Sequence, residues 1–120
     1  MITIYHNPRC SKSRDGVCEL EILNQNFEVR KYLDEPFSKT ELIDVIQKLN
    51  IEPIELVRTK EKIWIENYKG KDLSAEQIVD AILDNPKLIE RPIVVNGNKA
   101  VIARPKEKIN EILQDFNKDL

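Results

Sequence analysis

The chain of 120 residues has little net charge and no long hydrophobic run. Its formal charge of -2 gives no global electrostatic reason to bind nucleic acid or an anionic membrane, so affinity for anions must come from a local site. No apolar stretch approaches the roughly 20 residues needed to cross a bilayer. The first residues also lack the basic region and long apolar core of a signal peptide. We therefore expect a cytoplasmic protein with no nucleic-acid or membrane partner.

Cysteine and histidine are scarce as well. The two cysteines, Cys10 and Cys18, do not favour a structural disulfide, because one helix would hold them about 12 Å apart along its axis. The single histidine, His6, leaves no zinc pattern, so we expect neither a metal nor a bound cofactor. Cys18 is expected to be a small buried apolar residue on or beside the helix stripe.

The two ends of the chain show the patterns of an α/β fold. A strand over residues 2–6, a helix over 11–25 and a strand over 27–32 make a βαβ opening, which favours a parallel strand pair. Strands over 92–95 and 99–102 surround an Asn-Gly-Asn turn and predict an antiparallel hairpin. A final helix follows, with Pro105 at its first position. Its apolar stripe comprises Ile109, Ile112, Leu113 and Phe116.

The middle of the chain is helical in pattern. Ser38 to Glu41 and Ser74 to Gln77 are capping boxes, each followed by apolar residues three and four apart. Pro53 opens a short helix, and residues 61–68 predict another. The sequence therefore predicts a thioredoxin/glutaredoxin-like βαβ–ββα core with a mixed four-stranded sheet. A helical insert of about residues 38–86 lies within this core, and residues 1–120 form one domain.

Cys10 stands in the run His6 to Arg14, between the first strand and the first helix. At such a junction the free N–H groups and the positive end of the helix dipole stabilise a thiolate. Ser13 stands where a dithiol C-x-x-C motif would have its second cysteine, so an adduct on Cys10 must pass to an external thiol. A lone cysteine can also be inert, but the flanking His6, Arg9, Lys12 and Arg14 favour a reactive one.

Three arginines are placed to bind an oxyanion. Arg58 ends a short helical stretch, while Arg91 and Arg104 each precede a proline, which holds their backbone extended. Guanidinium groups suit tetrahedral oxyanions through paired charge-assisted hydrogen bonds. Each arginine alone could be a surface charge, so the hypothesis depends on their acting together. Pro92 lies where a thioredoxin-like fold would place a cis proline facing the cysteine, although the sequence does not show the isomer.

Four segments of the chain carry a resemblance to a known family. They are Ile4 to Arg14, Leu56 to Arg58, Arg91 to Val95 and Ala103 to Pro105. With them the chain, over residues 1–116, resembles the glutaredoxin-coupled arsenate reductases.

The resemblance implies a thioredoxin-like fold and an arsenate reductase activity. It implies that Cys10 attacks arsenate and that His6 influences the pKa of Cys10. The oxyanion would be held by Arg58, Arg91 and Arg104, with Ser13, Arg14 and Pro92 in supporting positions. Glutathione, a co-substrate and not a bound cofactor, would form an adduct that glutaredoxin resolves, and arsenite would leave. We expect a monomer with arsenate, glutathione and glutaredoxin as its partners.

Two other functions fit the same scaffold. One is a glutathione-dependent thiol reductase or deglutathionylase with no arsenate role. The other is a binding module similar to the Spx-like regulators of RNA polymerase. Those regulators usually carry a C-x-x-C motif, so Ser13 and the set of arginines argue against that alternative.

Overall fold

The computed structural model describes residues 2–113. Within this range the chain forms four strands and five helices, joined by loops and three short 3₁₀ turns. The strands are β1 Ile2–Tyr5, β2 Phe27–Arg30, β3 Ile93–Asn96 and β4 Lys99–Ile102. The helices are α1 Ser11–Ile22, α2 Lys39–Leu49, α3 Lys62–Asn67, α4 Ala75–Asp84 and α5 Ile109–Leu113. The 3₁₀ turns are Pro53–Leu56, Pro86–Leu88 and Lys106–Lys108. None of the described helices is long and apolar enough to span a membrane.

The four strands form one mixed sheet in the order β2-β1-β3-β4. Strand β1 runs parallel to β2, with Ile4 opposite Val29, and antiparallel to β3, with Ile4 opposite Val94. Strands β3 and β4 form the expected hairpin, in which Gly97 supplies the positive φ of 62° that the tight turn requires. The order βαβ, helices, ββα confirms the predicted fold class.

The described chain divides into two compact units. The first combines the residues up to Glu35 with those from Arg91 onward, and so contains the sheet, α1 and α5. Its core is a cluster of buried apolar side chains from both ends of the chain: Ile2, Ile4, Leu20, Val94, Ala103, Ile109 and Ile112. The amide of Asn96 donates to the Ile112 carbonyl at 3.0 Å and so ties α5 to β3.

The second unit, Pro36–Glu90, holds the predicted helical insert. Ser38 caps α2, since its Oγ accepts from the Glu41 N–H, and Ser74 forms the predicted capping box by exchanging two hydrogen bonds with Gln77. Helices α2 and α4 pack together, burying Leu42, Val45, Val79 and Ile82 among others. A short antiparallel bridge between Val57 and Ile89 ties the segment before α3 to the end of the unit.

The prediction for Cys18 is wrong, because this side chain is exposed. The buried face of α1 consists of Ser13, Gly16 and Leu20. Cys18 lies two residues from both Gly16 and Leu20. At 3.6 residues per turn, its side chain therefore points about 200° away from theirs, toward the opposite side of the helix. The apolar pattern located the buried Leu20 correctly, with Val17 and Leu23 packed against the same core, but Cys18 lies outside this face.

Two helix ends also differ from the prediction. Helix α1 ends at Ile22 instead of near residue 25, since Asn24 adopts a left-handed conformation with a φ of 55°. Pro105 is not the first helical residue: its ψ of 165° is extended, and it precedes the 3₁₀ turn that leads into α5. The expected place of Phe116 in the last helix lies outside the described residues.

Candidate active site

Cys10 is the residue immediately before α1. Its backbone is extended, with φ -99° and ψ 123°, while its carbonyl already accepts from the Arg14 N–H at 3.0 Å. The side chain of a residue in this position lies beside the first N–H groups of the helix, which have no partner within the helix. The thiol is half-buried. The structure thus places Cys10 at the helix N-terminus, as the sequence predicts.

The pKa of the Cys10 thiol lies below its ordinary value. Burial alone would raise this pKa, but several contacts of opposite effect outweigh burial. These contacts are the backbone N–H of Ser13, the charge of Arg91, the backbone N–H of Lys12 and a hydrogen bond from the Arg91 side chain. All four favour the thiolate, so a larger fraction of Cys10 is ionised near neutral pH than of an ordinary cysteine.

The loop before Cys10 is fixed by three side chains. The Asn7 N–H donates to Ser13 Oγ at 2.9 Å, and Asn7 Oδ1 accepts from the Arg9 N–H at 3.1 Å. Arg14 Nη1 donates to the Pro8 carbonyl at 2.8 Å. The supporting places predicted for Ser13 and Arg14 therefore correspond to contacts with this loop. Asn7 was not predicted, although an asparagine before a proline is a common signal of such a turn.

His6 is buried at the end of β1, and its Nδ1 lies 2.6 Å from Ser13 Oγ. Burial lowers the pKa of His6, and the charges of Lys31 and Arg14 lower it further, while a hydrogen bond with the Ser13 backbone acts in the opposite direction. The imidazole is therefore neutral near neutral pH. Ser13 Oγ also accepts from the Asn7 N–H, so one hydroxyl joins the imidazole to the loop before Cys10. Ser13 connects His6 to Cys10, because its side chain bonds the imidazole and its backbone N–H stabilises the Cys10 thiolate.

Arg91 brings a buried positive charge to the thiol. It is 9% exposed, and its charge and side chain both lower the pKa of the Cys10 thiol. Within residues 2–113, its Nε and Nη1 atoms are buried and have no hydrogen-bond partner. Burying charged donors without acceptors is costly, so they point to an anionic ligand. Of the three predicted arginines, Arg91 is the one for which the structure gives a contact with Cys10.

The segment around Arg91 is held firmly. The Arg91–Pro92 bond is cis, and Pro92 is fully buried. Its carbonyl accepts from the Ala103 N–H at 2.9 Å. On its other side lies Gly16 of α1, where a Cβ atom would come 2.8 Å from Pro92 Cγ. Gly16 was missed by the sequence analysis, although a glycine inside a predicted helix signals a close approach of this kind.

The other two arginines lie in different surroundings. Arg104 is exposed and lines a cavity together with Lys12 and Asp15 of α1. Arg58 belongs to the second unit, where it forms ion pairs with Glu61 at 3.4 Å and Glu90 at 3.9 Å. It also donates to the Lys87 carbonyl at 3.3 Å. The role of Arg58 and Arg104 as oxyanion ligands stays a prediction. In residues 2–113 no group of His, Cys, Asp and Glu side chains is arranged to hold a metal ion.

The fold and this site define a class: a thioredoxin-like α/β protein with one stabilised thiolate at the start of its first helix. The model of the ArsC family matches residues 5–112. The chain therefore belongs to the ArsC family.

Similar proteins cover almost the whole chain. An arsenate reductase of Haemophilus influenzae is 41% identical over 114 residues, which span 93% of this chain and 98% of the relative. The Escherichia coli K12 protein YfgD is 44% identical over 93% of this chain and 96% of its own. The solved structure of an arsenate reductase from Vibrio cholerae superposes with a TM-score of 0.88 at 41% identity, covering 92% of this chain and 96% of that one.

Proposed function

We propose that this protein is an arsenate reductase in which the Cys10 thiolate is the nucleophile. One observation carries the proposal: the Arg91 guanidinium is buried, has two donors without partners in residues 2–113, and helps to lower the pKa of the Cys10 thiol. A cation beside a thiolate stabilises the anion that the thiolate attacks as well as the thiolate itself. The names of the similar proteins from Haemophilus influenzae and Vibrio cholerae support arsenate as that anion.

In the proposed reaction, arsenate binds to Arg91, with Arg58 and Arg104 as the further cations that the sequence analysis expects. The Cys10 sulfur attacks arsenic, and one arsenate oxygen leaves as water. Glutathione displaces a second oxygen and forms a second sulfur–arsenic bond. A glutaredoxin thiolate then attacks the glutathione sulfur, so that a disulfide forms and the electron pair of the broken bond stays on arsenic. Arsenic is reduced from As(V) to As(III), and water releases arsenite from Cys10.

An external thiol is needed because Ser13 occupies the position of a resolving cysteine. The Ser13 side chain is fully buried and bonded to Asn7 and His6, so it serves the architecture of the loop. The exposed Cys18 lies two helical turns further along α1, beyond the reach of a disulfide with Cys10. We extend the proposal to a monomeric cytoplasmic enzyme that folds as one domain.

The test is arsenite production from arsenate in the presence of glutathione and glutaredoxin. The Cys10→Ser variant should lose this activity, while Cys18→Ser, which removes an exposed cysteine of the same helix, should keep it. Full activity of Cys10→Ser would end the proposal. If arsenate is not turned over but glutathione mixed disulfides are reduced, the thiol reductase alternative holds. Binding to RNA polymerase with neither activity would favour the Spx-like alternative.

A further inference from the structure

Arg58, in the second unit, faces two anions that belong to the protein itself. Its Nη1 lies 3.4 Å from Glu61 Oε1, and its Nε lies 3.9 Å from Glu90 Oε1. All three side chains are partly exposed. The guanidinium thus lies beside two carboxylates, whose oxygens resemble those of an oxyanion, and the three charges sum to minus one.

The backbone brings both carboxylates to Arg58. The Arg58 N–H donates to the Leu88 carbonyl at 2.7 Å, and the Glu90 N–H donates to the Leu56 carbonyl at 2.8 Å. These two hydrogen bonds hold the segment of Arg58 antiparallel to the segment that ends at Glu90. The Glu61 N–H donates to the Arg58 carbonyl at 3.0 Å, which closes a tight turn. The path of the chain therefore places both glutamates next to the guanidinium.

The contacts of the guanidinium are nevertheless long. Charge-assisted N–H···O hydrogen bonds usually measure about 2.7–2.9 Å. The two ion pairs exceed this length, and so does the hydrogen bond of 3.3 Å from Arg58 Nη1 to the Lys87 carbonyl. Ion pairs at partly exposed positions also contribute little to stability. The carboxylates are therefore close enough to oppose another anion, but bound weakly enough to be displaced by one.

Arg91 provides the contrast. Its buried Nε and Nη1 have no partner in residues 2–113, so an anion can bind them without displacing anything in that range. An anion that binds Arg58 has to replace Glu61 and Glu90 and meets their excess negative charge. A ligand whose site is partly occupied by a competing group binds with an apparent affinity reduced by the fraction of free site.

We propose that Glu61 and Glu90 compete with the substrate for Arg58 and so lower the affinity of the protein for oxyanions. The inference rests on the proposed function, in which Arg58 is an oxyanion ligand. In the free protein the two carboxylates pair with the guanidinium, and bound arsenate takes their place. Neither glutamate takes part in the chemical step.

The test measures arsenate binding by isothermal titration calorimetry with the full chain as Cys10→Ser, so that no arsenate is reduced. In this background Glu61→Gln and Glu90→Gln each remove one competing charge and keep the size of the side chain. Each should tighten arsenate binding about two- to fivefold, the effect of one partly exposed ion pair. A gain in affinity separates competition from a structural role, because the loss of a merely structural contact would not tighten binding.

Glu66→Gln is the matched control. It removes an exposed carboxylate from α3 that pairs with Lys62 and not with Arg58. This variant reports the effect of the net charge alone, and its affinity for arsenate should change by less than that of the other two. In an Arg58→Met background, which should bind arsenate more weakly, Glu90→Gln should give no gain beyond that of Glu66→Gln.

Unchanged or weaker binding in either Glu61→Gln or Glu90→Gln would overturn the inference. An equal gain in Glu66→Gln, a gain that persists without Arg58, or no saturable binding in any variant would overturn it as well. Binding is measured apart from turnover, so the two proposals fail separately. Arsenate reduction by the unaltered protein with no gain in the glutamate variants sinks this inference alone, and the gains without any arsenate reduction sink the proposed function alone.

Discussion

Gly16 and Pro92 are so close that a Cβ atom on Gly16 would lie 2.8 Å from Pro92 Cγ and 3.2 Å from Ile4 Cδ1. Pro92 is a rigid, fully buried ring, so it cannot give way as a flexible side chain could. The absence of a side chain at Gly16 therefore allows α1 to pack against the segment that carries Arg91. This contact joins the helix that follows Cys10 to the segment that carries Arg91, which is distant in the sequence.

Gly16→Ala tests this packing. A glycine-to-alanine change inside a helix normally stabilises by about 0.5–1 kcal/mol, but overpacking costs about 1–3 kcal/mol. We expect the free energy of unfolding in urea to fall by roughly 0.5–2 kcal/mol, with reduced arsenate reduction because Arg91 is displaced. Cys18→Ala, an exposed position on the same helix, should change stability by less than about 0.5 kcal/mol. A more stable Gly16→Ala protein would show that this contact is not tight.

Arg91→Met separates function from stability. Removing charge-assisted hydrogen bonds worth about 1.5–3 kcal/mol each should lower kcat/KM for arsenate roughly tenfold to over a hundredfold. The pKa of Cys10, measured from the pH dependence of its alkylation rate, should rise, since the Arg91 charge lowers it. Stability should not fall, because the lost guanidinium is buried with unpartnered donors among the described residues. Arg9→Gln removes an exposed charge beside Cys10 and serves as the control. Unchanged arsenate kinetics in Arg91→Met would contradict the proposed oxyanion site.

Ser13→Ala should destabilise the loop before Cys10. The change leaves the Asn7 N–H and the buried His6 Nδ1 without the Ser13 hydroxyl, and an unsatisfied buried polar group costs about 1–3 kcal/mol. We expect a loss of that order in urea unfolding. Ser11→Ala, two residues earlier in α1 and exposed, should change stability by less than about 0.5 kcal/mol. Equal stability of the two variants would mean that Ser13 does not fix the loop.

His6 is the single histidine of the chain, so its imidazole can be titrated without ambiguity by NMR. Its midpoint should lie below the ordinary value of 6.5, and Arg14→Gln should raise it by removing a positive charge. The unfolded chain then binds the proton more readily than the folded one. Stability should therefore decrease as the pH falls from about 6.5 toward the folded-state pKa, and His6→Gln should lack this component. A midpoint above 6.5 would contradict the assigned environment.

The sequence predicted the fold where local chemistry decides the structure. The Ser74–Gln77 capping box, the Gly97 turn and the position of Cys10 at the start of α1 all depend on residues close together in the chain. It failed for Cys18, because the packing face of α1 includes the small residues Ser13 and Gly16, whose burial depends on distant partners such as Pro92.

Arg91 and Arg104 show the same difference between what the local sequence determines and what tertiary packing determines. A residue before proline has a defined backbone, but its burial is set by tertiary packing. Arg91 is buried beside Cys10, whereas Arg104, in the same sequence context, is exposed and lines a cavity. No local pattern distinguishes these two, so the contact of Arg91 with the thiol emerges only from the folded chain.

Mass spectrometry of the protein after incubation with arsenate and glutathione tests the central claim most directly. The claim is that Cys10, ionised and paired with Arg91, is the sulfur that attacks arsenate. We predict an adduct that maps to the peptide containing Cys10 and is absent from Cys10→Ser but unaffected by Cys18→Ser. An adduct on Cys18, or an unmodified Cys10 in a folded protein, would contradict it.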